Sequence, residues 1–291
     1  MFRTALRFAR PSALLLASVS LVACVSSAGA IAPSPSPDAV DGDKPVFQVS
    51  WDGGFVTPEM LLGRTPIVTV HADGRVITNG PVLAIYPGPL MPNLQERTLS
   101  AEGLKRLIDL AREQGLLKTV HYDFPGIADA ADTVLDIQLD GETYRVSAYA
   151  LGDVAPGTAA PGLDQAAIDG RARLRAFVDA LTAIPAGDYV DEEHPFAFEG
   201  VRIYAAKAVI VPNSELPGEQ PAIDWPLADL ATAGAKVDNA VLDVRCQVVE
   251  GADLTEVLPL LQDANSLQTF RSEGELYSFI VVPLLPGETA C

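Results

Sequence analysis

Within residues 134–139, positions 135–139 alternate. Leu135, Ile137 and Leu139 fall on one side and Asp136 and Gln138 on the other, the period of a strand with one buried face. Asp140-Gly141 follows, then a second β-rich run over 142–150. Asp-Gly between two such runs predicts a tight hairpin, because glycine accepts the positive φ the turn requires. The same arrangement stands earlier, with 67–72 and 75–78 joined through Asp73-Gly74, 67 residues before the second turn. Each hairpin leads through a Gly/Pro-rich loop into a helical period. In the first, Ser100 is a fit N-cap, Glu102 sits in the first turn, Leu99 can staple onto Leu104, and Leu104, Leu107, Ile108 and Ala111 form one stripe ending at Gly115. In the second, the stripe is Leu174, Phe177, Val178 and Leu181, and Pro185 stops it. With a short strand over 46–49 ahead of it, the pattern over 46–186 predicts an antiparallel ββα–ββα sheet with its helices on one face.

Residues 185–195, with Gly187 and the acidic run Asp191-Glu192-Glu193, read as a linker. A second, smaller α/β unit is expected over 196–291, so the fold class is α+β. Its strands are placed at 201–211 and 241–249, with a Pro-rich loop around Trp225-Pro226 between them. Asp253-x-x-Glu256 reads as a capping box opening a helix with Leu254, Val257, Leu258 and Leu261 on one face; Pro259 inside it should bend or weaken the helix. Residues 268–270 and 276–282 around Glu273-Gly274 make a last hairpin.

The N-terminus follows another pattern. Arg3, Arg7 and Arg10 precede an apolar run of 11 residues, 13–23, within the length of a secretion-signal core and too short to span a bilayer. Leu21-Val22-Ala23-Cys24 closes the run, a small residue before cysteine after Leu and Val. This segment resembles the lipobox of exported bacterial lipoproteins. The resemblance implies lipid on the Cys24 thiol, removal of the signal peptide 1–23, and a mature chain beginning at Cys24, held extracytoplasmically at the cell membrane. Ala28-Gly29-Ala30 is also a small-x-small cleavage site; cutting there would discard Cys24 and release a secreted protein. Residues 24–45, dominated by Ser, Pro, Ala and Asp, read as a disordered tether able to span ~60 Å at ~3 Å per residue. Together with the Asp-Gly hairpins and the Pro-Leu-Leu-Pro-Gly run at 283–287 before Cys291, this tether is similar to those of uncharacterised exported lipoproteins of high-GC Gram-positive bacteria. No activity comes with that likeness.

Charge and cysteine content extend the picture. The chain carries −18, and loss of the three signal arginines takes it to −21. Such a field repels phosphate backbones, so nucleic acid is not an expected partner. It also disfavours direct contact with anionic head groups, which attachment through a lipid anchor makes tolerable. With Cys24 lipidated, Cys246 and Cys291 remain, and outside the cytoplasm an even pair reads as a disulfide.

No cofactor or metal motif is present: His71, His121 and His194 form no His-x-x-x-His pair, and there is no Gly-x-Ser-x-Gly, Ser-x-x-Lys or Walker loop. Two aromatic stretches are the candidate binding loops, Trp51 with Phe55 and Tyr122 with Phe124; each reads either as packing or as one wall of a shared groove. Asp123, Asp129 and Asp132 are the carboxylates that could serve acid/base chemistry. The expectation is a lipid-anchored cell-envelope protein acting as a non-catalytic module that binds a ligand or protein partner. The alternatives are an envelope hydrolase with an unrecognised acidic site and a structural or inhibitory module.

Overall fold

The computed structural model describes residues 42–209, 220–238, 241–288 and 291. The signal peptide, Cys24, nearly all of the tether and the end of the strand expected over 201–211 lie outside the described residues. Among the described residues the fold is mixed α+β, with fourteen strands in two sheets and four helices.

The first sheet grows around strand β1 (Pro45–Gly53). Phe47, Val49 and their neighbours pair antiparallel with β2 (Val68–His71) on one side and β6 (Ala131–Leu139) on the other. Beyond β2 come β3 (Arg75–Asn79), β4 (Leu94–Thr98) and β8 (His194–Pro195); beyond β6 come β7 (Glu142–Tyr149) and β5 (Val120–Tyr122). Both Asp-Gly turns are hairpins, and at the second Asp140 and Gly141 both take positive φ, 54° and 79°. A two-residue turn with both centres left-handed matches the twist of the strands it joins.

Helix α2 (Ala101–Glu113) follows β4, and its cap forms as the sequence requires: Ser100 Oγ accepts from the Gly103 amide at 3.0 Å. Helix α3 (Gln165–Thr182) follows β7 and is capped by Asp164. Each hairpin thus reaches its helix with a third strand in the group, β4 in the first and β5 in the second. Leu107 and Ala111 of α2 and Leu174, Phe177 and Leu181 of α3 enter one core with Phe47, Val49, Val70, Leu135 and Ile137. The alternate positions of the strands face the other way. There Ile77 and Leu94 meet Phe196 and Leu285.

The segment expected to be a linker is pinned along this sheet. A 3-10 turn at Ala186–Asp188 is followed by β8 pairing with β4. The Thr98 amide donates to Asp191 Oδ1 at 2.7 Å, Arg97 covers the Tyr189 ring, and Arg106 pairs with Asp188.

The second sheet has the order β10 (Ile223–Asp224), β13 (Thr269–Ser272), β14 (Glu275–Pro283), β9 (Gly200–Lys207), β12 (Val244–Glu250) and β11 (Ala235–Lys236). Leu254, Val257 and Leu261 of helix α4 (Gly251–Asp263) pack on it with Ile203, Phe270 and Val281. The expected capping box does not form. The helix begins at Gly251, whose positive φ turns the chain out of β12, so Asp253 already lies within the first turn. Pro259 is accommodated inside α4. Cys246 of β12 and Cys291 are disulfide-bonded, with Cα atoms 5.7 Å apart.

Candidate functional site

The two aromatic stretches part company. Trp51, near the end of β1, has 57% of its surface exposed, and Phe55 beyond the strand is 88% exposed. Tyr122 and Phe124 are buried and offer no binding surface. Their burial is organised by Arg171, a buried arginine in α3. Its guanidinium lies over the Phe124 ring and donates to the carbonyls of Tyr122, Asp123 and Tyr149, the last at 2.8 Å. Burial and the neighbouring Arg175 lower its pKa. The Tyr122 ring rests against α3 at Gly170, where a Cβ would run into it.

A larger apolar surface is formed by the chain that follows. Arg64 Nη1 donates to the carbonyls of Gly53 at 2.8 Å and Trp51 at 3.3 Å, tying the end of β1 to the far end of helix α1 (Pro58–Leu62). Thr57 caps α1, accepting from the Met60 amide, and Pro58 occupies a first-turn position where its missing N–H costs nothing. Residues 80–93 form the facing wall. Their neck is closed by Gly80 N–H to the Asn93 carbonyl at 2.7 Å and by Asn93 Nδ2 to the Pro81 carbonyl. Their far side is fixed to the connection after α4, through Leu90 N–H to the Ala264 carbonyl and Ser266 N–H to the Gly88 carbonyl.

Between α1, this loop and β14 lies a cavity of about 630 Å³. Met60, Val82, Leu83, Leu90, Met91 and Ile280 line it, and Glu59 is its one ionisable lining residue. Met60, Val82 and Leu83 keep 58%, 72% and 70% of their surfaces exposed, and Ile85 and Tyr86, next along the loop, are exposed too. Contiguous exposed apolar area of this kind marks interaction surfaces. The signal in the sequence was Val82-Leu83-Ala84-Ile85-Tyr86 between Pro81 and Pro87. Five apolar residues framed by prolines cannot extend a sheet at either end, so they stay outside it.

Three side chains familiar from hydrolytic sites also meet, on β5, β6 and β7. Ser147 Oγ lies 2.9 Å and Asp132 Oδ1 3.4 Å from His121. Both oxygens face the same ring nitrogen, Nδ1. A proton relay needs the nucleophile on one nitrogen and the acid on the other, so this contact does not form one. Asp129, in a left-handed conformation, accepts the Phe55 amide on its backbone carbonyl, and Asp123 accepts the Phe124 amide on its side chain. Among the described residues no three His, Cys, Asp or Glu side chains converge as metal ligands, and no helix is long and apolar enough to cross a membrane. No protein-family model, curated protein or solved structure matches the chain.

Proposed function

We propose that this is a lipid-anchored cell-envelope protein, attached through Cys24, that binds the apolar surface of a ligand or protein partner in the groove between α1 and residues 80–93. The observation that carries the reading is the groove itself: a 630 Å³ cavity with an apolar lining and one carboxylate at its edge. The two hairpin-and-helix groups, read as a ββα–ββα pair, serve in this account as a rigid frame, and the tether sets the groove's reach from the bilayer. The near-neutral lining suits an apolar occupant despite the strong negative charge of the whole chain, because apolar contact draws little on the long-range field.

The test is binding of Nile red, a neutral apolar dye, to the mature protein. Fluorescence should rise and shift to the blue, and Met60→Glu with Leu83→Asp should remove the response while Lys105→Glu leaves it intact. No enhancement, or enhancement that survives in the groove variants, rejects the site. For the anchor, Cys24→Ser should move the protein from the membrane fraction to the supernatant; unchanged fractionation rejects lipidation at that position.

A further inference from the structure

A second cavity lies on the opposite face of the first sheet from the helices, and its character is different. It encloses about 220 Å³ between β1, β2 and β6 on one side and residues 285–288 on the other. At ~30 Å³ per water that is room for about seven waters, or one small molecule. Its floor is polar. Gln48 and Thr69 oppose each other across β1 and β2, His71 lies two residues along from Thr69, and Gln138 joins from β6. Such residues on a central strand face would ordinarily be apolar, as they are where Leu285 packs on Ile77 and Leu94.

The floor is also unsatisfied. Thr69 and His71 are almost wholly buried, yet Thr69 Oγ1 and His71 Nε2 have no hydrogen-bond partner. His71 Nδ1 lies 3.0 Å from the Asp43 carbonyl. A carbonyl only accepts, so Nδ1 carries the proton and Nε2 of the neutral ring is a bare acceptor. Burial, with Arg75 beside it, lowers the His71 pKa and keeps the ring neutral at neutral pH. The side-chain amides of Gln48 and Gln138 make no hydrogen bond among the described residues. Unpaired buried polar groups are costly, and Thr69 and His71 present two of them to the cavity beside the half-buried amides of Gln48 and Gln138.

The lid is built as deliberately as the floor. Leu284 N–H donates to the Gly200 carbonyl at 2.9 Å, and Leu285 is seated among Ile77, Leu94 and Phe196. Gly287, at φ +83°, passes so close to the Asp43 carbonyl that a Cβ there would meet it at 2.9 Å. Glu288 pairs with Arg202 at 3.6 Å, and Cys291 is bonded to Cys246.

We propose that this cavity is a binding site for a small neutral polyhydroxy molecule, a sugar or polyol, with residues 284–288 as its lid and the Cys246–Cys291 disulfide as the lid's clamp. A hydroxyl both donates and accepts, which suits two amides, one hydroxyl and one bare imidazole nitrogen. Pro45, Pro286 and Leu285 supply apolar surface for the C–H faces of such a ligand. The lining offers no free carboxylate for a cation, and its third charged residue, Lys44, is exposed to solvent. Asp43 is paired with Arg75 and Glu288 with Arg202, so the lining carboxylates are already compensated.

Saturation-transfer NMR with myo-inositol, D-glucose and glycerol on the oxidised protein tests this. At least one should receive transfer at millimolar concentration. Thr69→Val and Gln138→Leu should each weaken its binding about tenfold, the scale of one lost hydrogen bond to a buried site, while Lys105→Ala does nothing. Cys291→Ser should speed dissociation of the bound molecule by freeing the lid. If one variant fails to fold, the other carries the comparison. Absence of transfer to all three compounds overturns the proposal, as does transfer that both floor variants leave unchanged.

Discussion

Replacing Phe177 by alanine tests whether the described fold is one cooperative body. Phe177 is fully buried, and its ring meets that of Phe47 edge-on with centroids 5.1 Å apart. It is the central contact by which α3 holds the first sheet, flanked by Leu174 and Leu181. Truncation of a buried phenylalanine costs ~3–5 kcal/mol, because the cavity left behind collapses only partly. At roughly 2–4 °C per kcal/mol for a body of this size, melting should fall by about 10 °C. The chain supplies its own reporter elsewhere. It has two tryptophans; Trp51 is mostly exposed, whereas Trp225 is buried in the second core, edge-on to Phe270 and Phe279. Urea unfolding followed by far-ultraviolet circular dichroism reports both sheets, and tryptophan fluorescence reports mainly the second. The loop over 80–93 and the strap over 284–288 tie the sheets together, so the two midpoints should drop in step. A loss below ~1 kcal/mol would refute the packing argument. A dichroism midpoint that moves while the fluorescence midpoint stays would refute the coupling.

Two other outcomes follow from the same structure. Cys291→Ser opens a bridge spanning 45 residues, and the chain-entropy relation puts the loss at ~4 kcal/mol by urea denaturation; a loss under ~1 kcal/mol would show that the closed loop is not what the bridge stabilises. The His71 pKa is lower in the folded than in the unfolded chain, so the unfolded state takes up the proton first: stability is complete above about pH 6.5 and declines, at up to ~1.4 kcal/mol per pH unit, as pH falls towards the folded value. His71→Asn keeps a donor for the Asp43 carbonyl and has no proton to gain, so denaturation at a series of pH values should show a flatter curve; equal slopes in the two proteins would remove His71 as the cause.

What could be read in advance followed the range of the interactions involved. Asp140-Gly141, the Ser100 cap and the stripe Leu174–Phe177–Leu181 are set by neighbours within a few residues, and each stands where its pattern put it. The placement of β1 depends on Phe47 pairing with Ile137, ninety residues away, and no local period encodes that. Strands β4 and β8 are short and polar, Leu-Gln-Glu-Arg-Thr and His-Pro, because they lie towards the edge of the sheet, where charge and proline guard against further pairing. Tyr122 and Phe124 read equally as packing or as a groove wall because their cover, Arg171, is a charged residue on a distant helix, and they pack. The polar cavity was hidden for a related reason. Thr69 and His71 alternate correctly for a strand, and only the return of residues 284–288 turns their face from outside to inside.

The central position of β1 bears on how the protein carries mechanical load. A pull on the chain ahead of Pro45, such as the proposed anchor would apply, acts along a strand bonded on both flanks: seven residues paired with β6 and four with β2, both antiparallel. An edge strand would peel away one bond at a time. This one must slide against two neighbours at once, so its bonds share the force and rupture waits on the slow unfolding step. A chain loaded through its sheet's middle strand is held at the place that yields last.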